Sequence, residues 1–85
     1  MRMSITITVK FFALQREETG TPEIELELDG KKTVLELREI LMQKYPGLKK
    51  YELVTLMSLN QKYARGHEIL KEGDVVALFP LVGGG

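Results

Sequence analysis

Near the start of the chain, apolar and polar residues alternate without a lapse for eight positions. Ile5, Ile7, Val9 and Phe11 point one way, and Ser4, Thr6, Thr8 and Lys10 the other. Successive side chains of a strand point to opposite faces, so residues 4–11 form a half-buried strand rich in β-branched residues. A second alternation follows at 23–29. There Ile24, Leu26 and Leu28 oppose Glu23, Glu25 and Glu27, with Asp29-Gly30 as a turn. Two strands with one apolar face each need something to cover that face.

The cover is a helix that opens at Thr33. Thr33-Val34-Leu35-Glu36 has the form of a capping box: the threonine hydroxyl can accept from the amide of residue 36, and Glu36 can reach back. Val34, Leu37, Leu41 and Tyr45 make one apolar stripe with Ile40 beside it, and Pro46-Gly47 ends the helix. Between the first two strands, residues 12–19 suit a short helix with Gly20 just past its end. Phe12 falls out of phase with the inward-facing set of the first strand.

The second half reads as strands. Leu53 to Asn60 is apolar and strand-like, Asn60-Gln61 turns into a short segment around Tyr63-Ala64, and Lys71 to Asp74 is a tight turn. Val75 to Phe79 is the last strand, with Val76 and Leu78 on one face and Val75, Ala77 and Phe79 on the other. Pro80 cannot donate to a ladder, so it stops this strand or marks an edge. The order β, short α, β, α, β, β, β predicts a small α+β domain with one sheet packed on one main helix.

Composition removes most catalytic readings. Eighty-five residues make one small domain with one modest core. Twelve basic and twelve acidic residues cancel, and the basic ones are scattered, so no nucleic-acid surface and no membrane segment is expected. Cysteine is absent, which excludes disulfides and a side-chain thiol nucleophile. His67 is the sole histidine and sits in a polar loop. Glu23, Glu25 and Glu27 line one face of a strand, without the loop geometry that calcium requires. No metal site is expected. If the protein takes part in chemistry, another protein supplies the catalytic groups.

What remains is the end of the sequence, Leu81-Val82-Gly83-Gly84-Gly85. Three glycines offer one reactive group, the carboxylate of Gly85. Without Cβ atoms the segment is thin and flexible, and extended it reaches about 10 Å. Such a string suits another protein's active site; the plain alternative is a frayed terminus. The expected organisation is a folded domain over 1–82 and a flexible tail over 83–85.

Taken together, these segments resemble the MoaD/ThiS-like sulfur carriers, the branch of the ubiquitin-like β-grasp proteins that includes the small subunit of molybdopterin synthase. The matching stretches are residues 9–17 (Val-Lys-Phe-Phe-Ala-Leu-Gln-Arg-Glu), 33–37, Tyr45-Pro46-Gly47-Leu48, Leu59-Asn60 and 70–80. The last of these joins Gly73-Asp74 to an apolar strand and Pro80. Two positions depart from the family pattern. Gly83 stands where a small polar residue is usual, and Leu81 where a second proline is common. The tail should be looser for it.

The resemblance implies a mixed sheet with the first and last strands parallel at its centre. It also implies a carrier without catalytic groups or bound cofactor of its own. The Gly85 carboxylate would be adenylated by a ubiquitin-activating-like adenylyltransferase that uses ATP and Mg²⁺, then converted to a thiocarboxylate. Gly83 and Gly84 would thread into the large subunit of molybdopterin synthase, where sulfur passes to the molybdopterin precursor in the cytoplasm. Partners would dock on the side of the sheet away from the main helix, through Phe12, Tyr63, Phe79, Pro80 and Leu81. Three alternatives stay open: a ubiquitin-like modifier joined to lysines through Gly85, a sulfur carrier for thiamin thiazole synthesis, and an interaction domain with an inert tail.

Overall fold

A computed structural model describes residues 3–81; Met1, Arg2 and residues 82–85 lie outside the described residues, and with them the expected tail of Gly83, Gly84 and Gly85. Strand β1 (Ser4–Phe11) leads into helix α1 (Ala13–Thr19), strand β2 (Glu23–Asp29) and helix α2 (Val34–Lys44). A 3₁₀ segment (Pro46–Val54), strand β3 (Thr55–Leu59), the two-residue β4 (Lys62–Tyr63) and β5 (Val75–Pro80) complete the order.

The five strands form one mixed sheet in the order β2-β1-β5-β3-β4. β1 pairs antiparallel with β2 from Ser4↔Asp29 to Lys10↔Glu23, and parallel with β5 from Thr8↔Val75 to Phe11↔Leu78. β5 pairs antiparallel with β3 from Thr55↔Pro80 to Leu59↔Val76. This is the β-grasp sheet that the resemblance implies.

The four longer strands turn their inward sets onto α2. Ile7, Val9 and Phe11 of β1, Leu28 of β2, Met57 of β3, and Val76 and Leu78 of β5 are buried. They share one core with Val34, Leu37, Leu41 and Met42 of α2 and with Leu48. Phe11 and Tyr45 meet edge to face, with ring centroids 5.7 Å apart. The apolar stripe read from the sequence is the buried face of α2, with Met42 as an addition to it.

All four free N–H groups at the start of α2 find acceptors. Glu36 N–H donates to Thr33 Oγ1 at 3.2 Å, and the regular helical bonds begin with Leu37 N–H to the Thr33 carbonyl at 3.0 Å. Val34 N–H donates to the Glu68 carbonyl and Leu35 N–H to that of Gly66, both at 2.9 Å. Thr33 N–H donates back to the Glu36 carboxylate at 3.0 Å, which completes the capping box. Helix α1 stops at Gly20, whose φ of +76° is the left-handed turn that glycine adopts without strain. Asn60 and Gln61 both take positive φ, as a tight two-residue hairpin between β3 and β4 requires.

One local expectation needs correcting, and a second is met in one of its two arms. The stretch from Leu53 does not start a strand: residues 46–54 form the 3₁₀ segment and β3 begins only at Thr55. Leu53 stands 96% exposed in it. Pro80 does end its strand, as the last residue of β5, but it marks no edge, because β5 lies between β1 and β3. The carbonyl of Leu78 faces β1, where it accepts from Phe12 N–H at 3.0 Å. Two residues on, Pro80 turns its nitrogen to the same side, beyond the last β1 pair at Phe11↔Leu78. The missing N–H therefore costs no ladder bond.

Candidate functional site

The face of the sheet turned away from α2 is built from the outward phases of the strands. β1 contributes Thr6, Thr8 and Lys10, β5 contributes Val75, Ala77 and Phe79, and β3 contributes Leu56 and Ser58. The registers set them in rows. Lys10 lies beside Ala77, Ala77 beside Ser58, and Ser58 beside Tyr63. In the next row Phe79 lies beside Leu56.

Ala77 is small, and larger side chains surround it. The result is a shallow hollow of about 300 Å³ lined by Lys10, Phe12, Ser58, Gln61, Val75, Ala77 and Phe79. Phe12 reaches it from the junction of β1 and α1. It precedes the first helical residue in extended conformation, and Ala13 follows with a φ of +50°. That left-handed conformation is costly for a residue with a Cβ, and here it makes an abrupt reversal at Phe12. Phe12 remains 49% exposed. It does not cover a small second core under α1; the buried residue of that helix is Gln15.

Of the five residues expected at a docking surface, Phe12 and Phe79 share the hollow and Tyr63 sits one strand beyond it, 63% exposed. Tyr63 also borders a second cleft with Leu35, Arg38 and Arg65. Pro80 and Leu81 do not line the hollow. They carry the chain off the sheet at its end, where Leu81 N–H donates to the Val54 carbonyl at 2.6 Å. Leu81 and Val54 are both exposed, as is Leu14. An apolar surface of this kind, set beside a chain exit, suits contact with another protein.

The sequence reading left out the floor and polar wall of the hollow, Val75, Ala77, Lys10 and Ser58. Their outward phase in the strand alternation is the signal that marks them. Leu53 and Val54 belong to an apolar run that reads as strand and folds as the end of the 3₁₀ segment. Among the described residues, no three His, Cys, Asp or Glu side chains come together as a metal site would need. No helix among them is long and apolar enough to cross a membrane.

Two carboxylates here titrate below their ordinary range, and both serve the fold. Glu36 is lowered chiefly by the hydrogen bond from Thr33 N–H. Glu68 is lowered by the backbone N–H groups of Arg65 and Gly66, at 2.8 Å each. Both lie near the start of α2, away from the hollow.

Residues 9–85 match the model of the ThiS family. A molybdopterin synthase sulfur carrier subunit from Chlamydomonas reinhardtii is 39% identical over 82 residues, which span 93% of this chain and 98% of that protein. One chain of a solved complex of subunits 1 and 2 of the molybdopterin-converting factor from Helicobacter pylori is similar in structure. The TM-score is 0.70 at 29% identity, with 95% of this chain and 100% of that chain covered. The small archaeal modifier protein 1 from Methanosarcina acetivorans superposes with a TM-score of 0.75 at 31% identity, covering 98% and 99% of the two chains. The sheet order, the helix that covers it and the match over residues 9–85 agree: this chain belongs to the ThiS family and has the ubiquitin-like β-grasp fold.

Proposed function

We propose that this chain is a sulfur carrier that serves as the small subunit of a molybdopterin synthase. The observation that carries the reading is the end-to-end match to a protein of that name, 98% of which is covered. The outer face supports it: an apolar hollow lined by Phe12 and Phe79 lies beside the point where the chain leaves the sheet. In this reading the hollow receives the large subunit, and residues 83–85 enter that subunit's active site.

A carboxylate is a poor electrophile, since its leaving group would be oxide. The Gly85 carboxylate therefore has to be activated, and a ubiquitin-activating-like adenylyltransferase, using ATP and Mg²⁺, is the partner we assign to that step. A carboxylate oxygen bonds to the α-phosphorus of ATP and pyrophosphate leaves. A sulfur nucleophile then attacks the carbonyl carbon and AMP departs, which leaves a terminal thiocarboxylate. Glycine at 84 and 85 keeps β-substituents away from that carbon. The chain supplies no acid or base for these steps; it is a cosubstrate in the cytoplasm.

The test is intact-mass measurement after incubation with an adenylyltransferase that acts on family members, together with ATP, Mg²⁺ and a sulfur donor. Replacement of one terminal oxygen by sulfur is the expected result, and an unchanged mass would overturn the reading. The likeness to the archaeal modifier supplies a second reading to test against the first, attachment to lysines through Gly85. Finding the chain bonded to lysines of other proteins in extracts of its host would move the assignment there.

A further inference from the structure

We propose that Gln15 is a positioning residue: with Thr55 and Tyr51 it forms a buried polar brace that sets the direction in which the chain leaves the sheet at Leu81. Its consequence for activity rests on the carrier reading above.

Gln15 is completely buried, whereas its neighbours Leu14, Arg16 and Glu17 on α1 are exposed. Its Nε2 donates to Thr55 Oγ1 at 2.8 Å, and Thr55 Oγ1 donates to the Tyr51 carbonyl at 2.7 Å. The side-chain carbonyl, Oε1, is buried and finds no partner among the described residues. A buried acceptor left unpaired costs stability, so a leucine of similar volume would hold α1 in place at least as well. What the amide adds is a directional tie.

The tie ends where the chain departs. Thr55 pairs with Pro80, and the carbonyl of the preceding residue, Val54, accepts from Leu81 N–H at 2.6 Å. By donating to Tyr51, the Thr55 hydroxyl also closes the end of the 3₁₀ segment that presents the Val54 carbonyl. Gln15 thus links α1, which Phe12 precedes, to the acceptor that holds Leu81. A second link between the same elements, Lys50 Nζ to Glu18 Oε1 at 2.7 Å, is solvent-exposed on the lysine side and correspondingly weak. A fixed departure direction lowers the ordering cost of threading the following residues into a partner.

The test compares Gln15→Leu and Thr55→Ser with the unmodified full chain. Gln15→Leu should melt at or above the wild-type temperature. Its Leu81 N–H should nonetheless exchange with deuterium roughly three- to tenfold faster, the range of one neutral hydrogen bond, while Leu78 exchange stays unchanged. The apparent KM for activation by the adenylyltransferase should rise by a similar factor at constant kcat. Thr55→Ser keeps the hydroxyl and should match the wild type in both readouts. Unchanged Leu81 exchange in Gln15→Leu overturns the proposal. So does a lower melting temperature with all amides exchanging faster together, which would make Gln15 a merely structural residue. Should Gln15→Leu fail to fold, Gln15→Met applies the same criteria. If the wild-type chain is not activated at all, the carrier reading fails, and Leu81 exchange still decides whether the brace exists.

Discussion

Leu41 and Phe79 are both large and apolar, and the fold gives them opposite tasks. Leu41 lies on the inner face of α2, fully buried in the shared core. Phe79 lies on the outer face of β5, where it lines the hollow. Leu41→Ala should therefore cost about 2–5 kcal/mol in a urea melt, as a leucine truncation that leaves a cavity does. A loss of a few tenths would mean that another face of α2 is buried. Phe79→Ala should disturb folding less and instead weaken binding of the large synthase subunit or the activating enzyme by more than about 1–2 kcal/mol. Titration calorimetry on folded mutant protein separates the two. If Phe79→Ala unfolds the domain while the folded fraction binds as before, Phe79 is a core residue and the docking face lies elsewhere. Both faces were legible in the sequence, that of Leu41 from the helical apolar stripe and that of Phe79 from the alternation of its strand. Gln15 was not, since a polar residue in a short helix reads as solvated. Its burial depends on where the 3₁₀ segment and β3 pack.

At the scale of elements, the start of α2 is the best-specified part of the chain. Four residues, Thr33 to Glu36, encode the capping box that the structure contains. The other two acceptors, the carbonyls of Gly66 and Glu68, come from a loop thirty residues on and could not be read locally. Their loop is itself held by the Glu68 carboxylate, which accepts from Arg65 and Gly66. Glu36 and Glu68 both titrate below the ordinary carboxylate range, so folding favours their ionised forms. Their contribution is present above the pKa they have in the unfolded chain, and is lost as pH falls through the lower folded values. Acidification through that window should loosen the first turn of α2 together with loop 65–68, before the core opens. Amide exchange of Val34 and Leu35 against Leu41 would reveal it, and uniform loss of protection would contradict it. Thr33→Ala should lower stability by about 1 kcal/mol at neutral pH. The 3₁₀ segment was illegible for the opposite reason. Its apolar residues have no clean period, and Leu53 is apolar yet exposed.

At the scale of the molecule, the parallel pairing of β1 with β5 joins the two ends of the described chain at the centre of the sheet. Periodicity could not give that pairing, because it assigns faces and leaves neighbours undetermined; only the resemblance implied it. The pairing has a consequence for the end of the sequence. The buried core is complete between Ile7 and Leu78, and the last described backbone bond is made by Leu81. Gly84 and Gly85 follow outside the described residues, so the core contacts on which stability rests are already made without them. Deleting Gly84 and Gly85 should then leave the melting temperature within about 2 °C of wild type, well short of the roughly 4–8 °C that 1 kcal/mol commands in a domain of this size. The same deletion should abolish thiocarboxylation and sulfur transfer, since the carboxylate that remains would sit two residues short of the reacting position. Binding of the large subunit through the hollow should weaken without vanishing, because Phe12 and Phe79 are untouched. A truncated chain that melts far lower would show that the glycines brace the fold, and one that still accepts sulfur would place the reactive group somewhere other than Gly85.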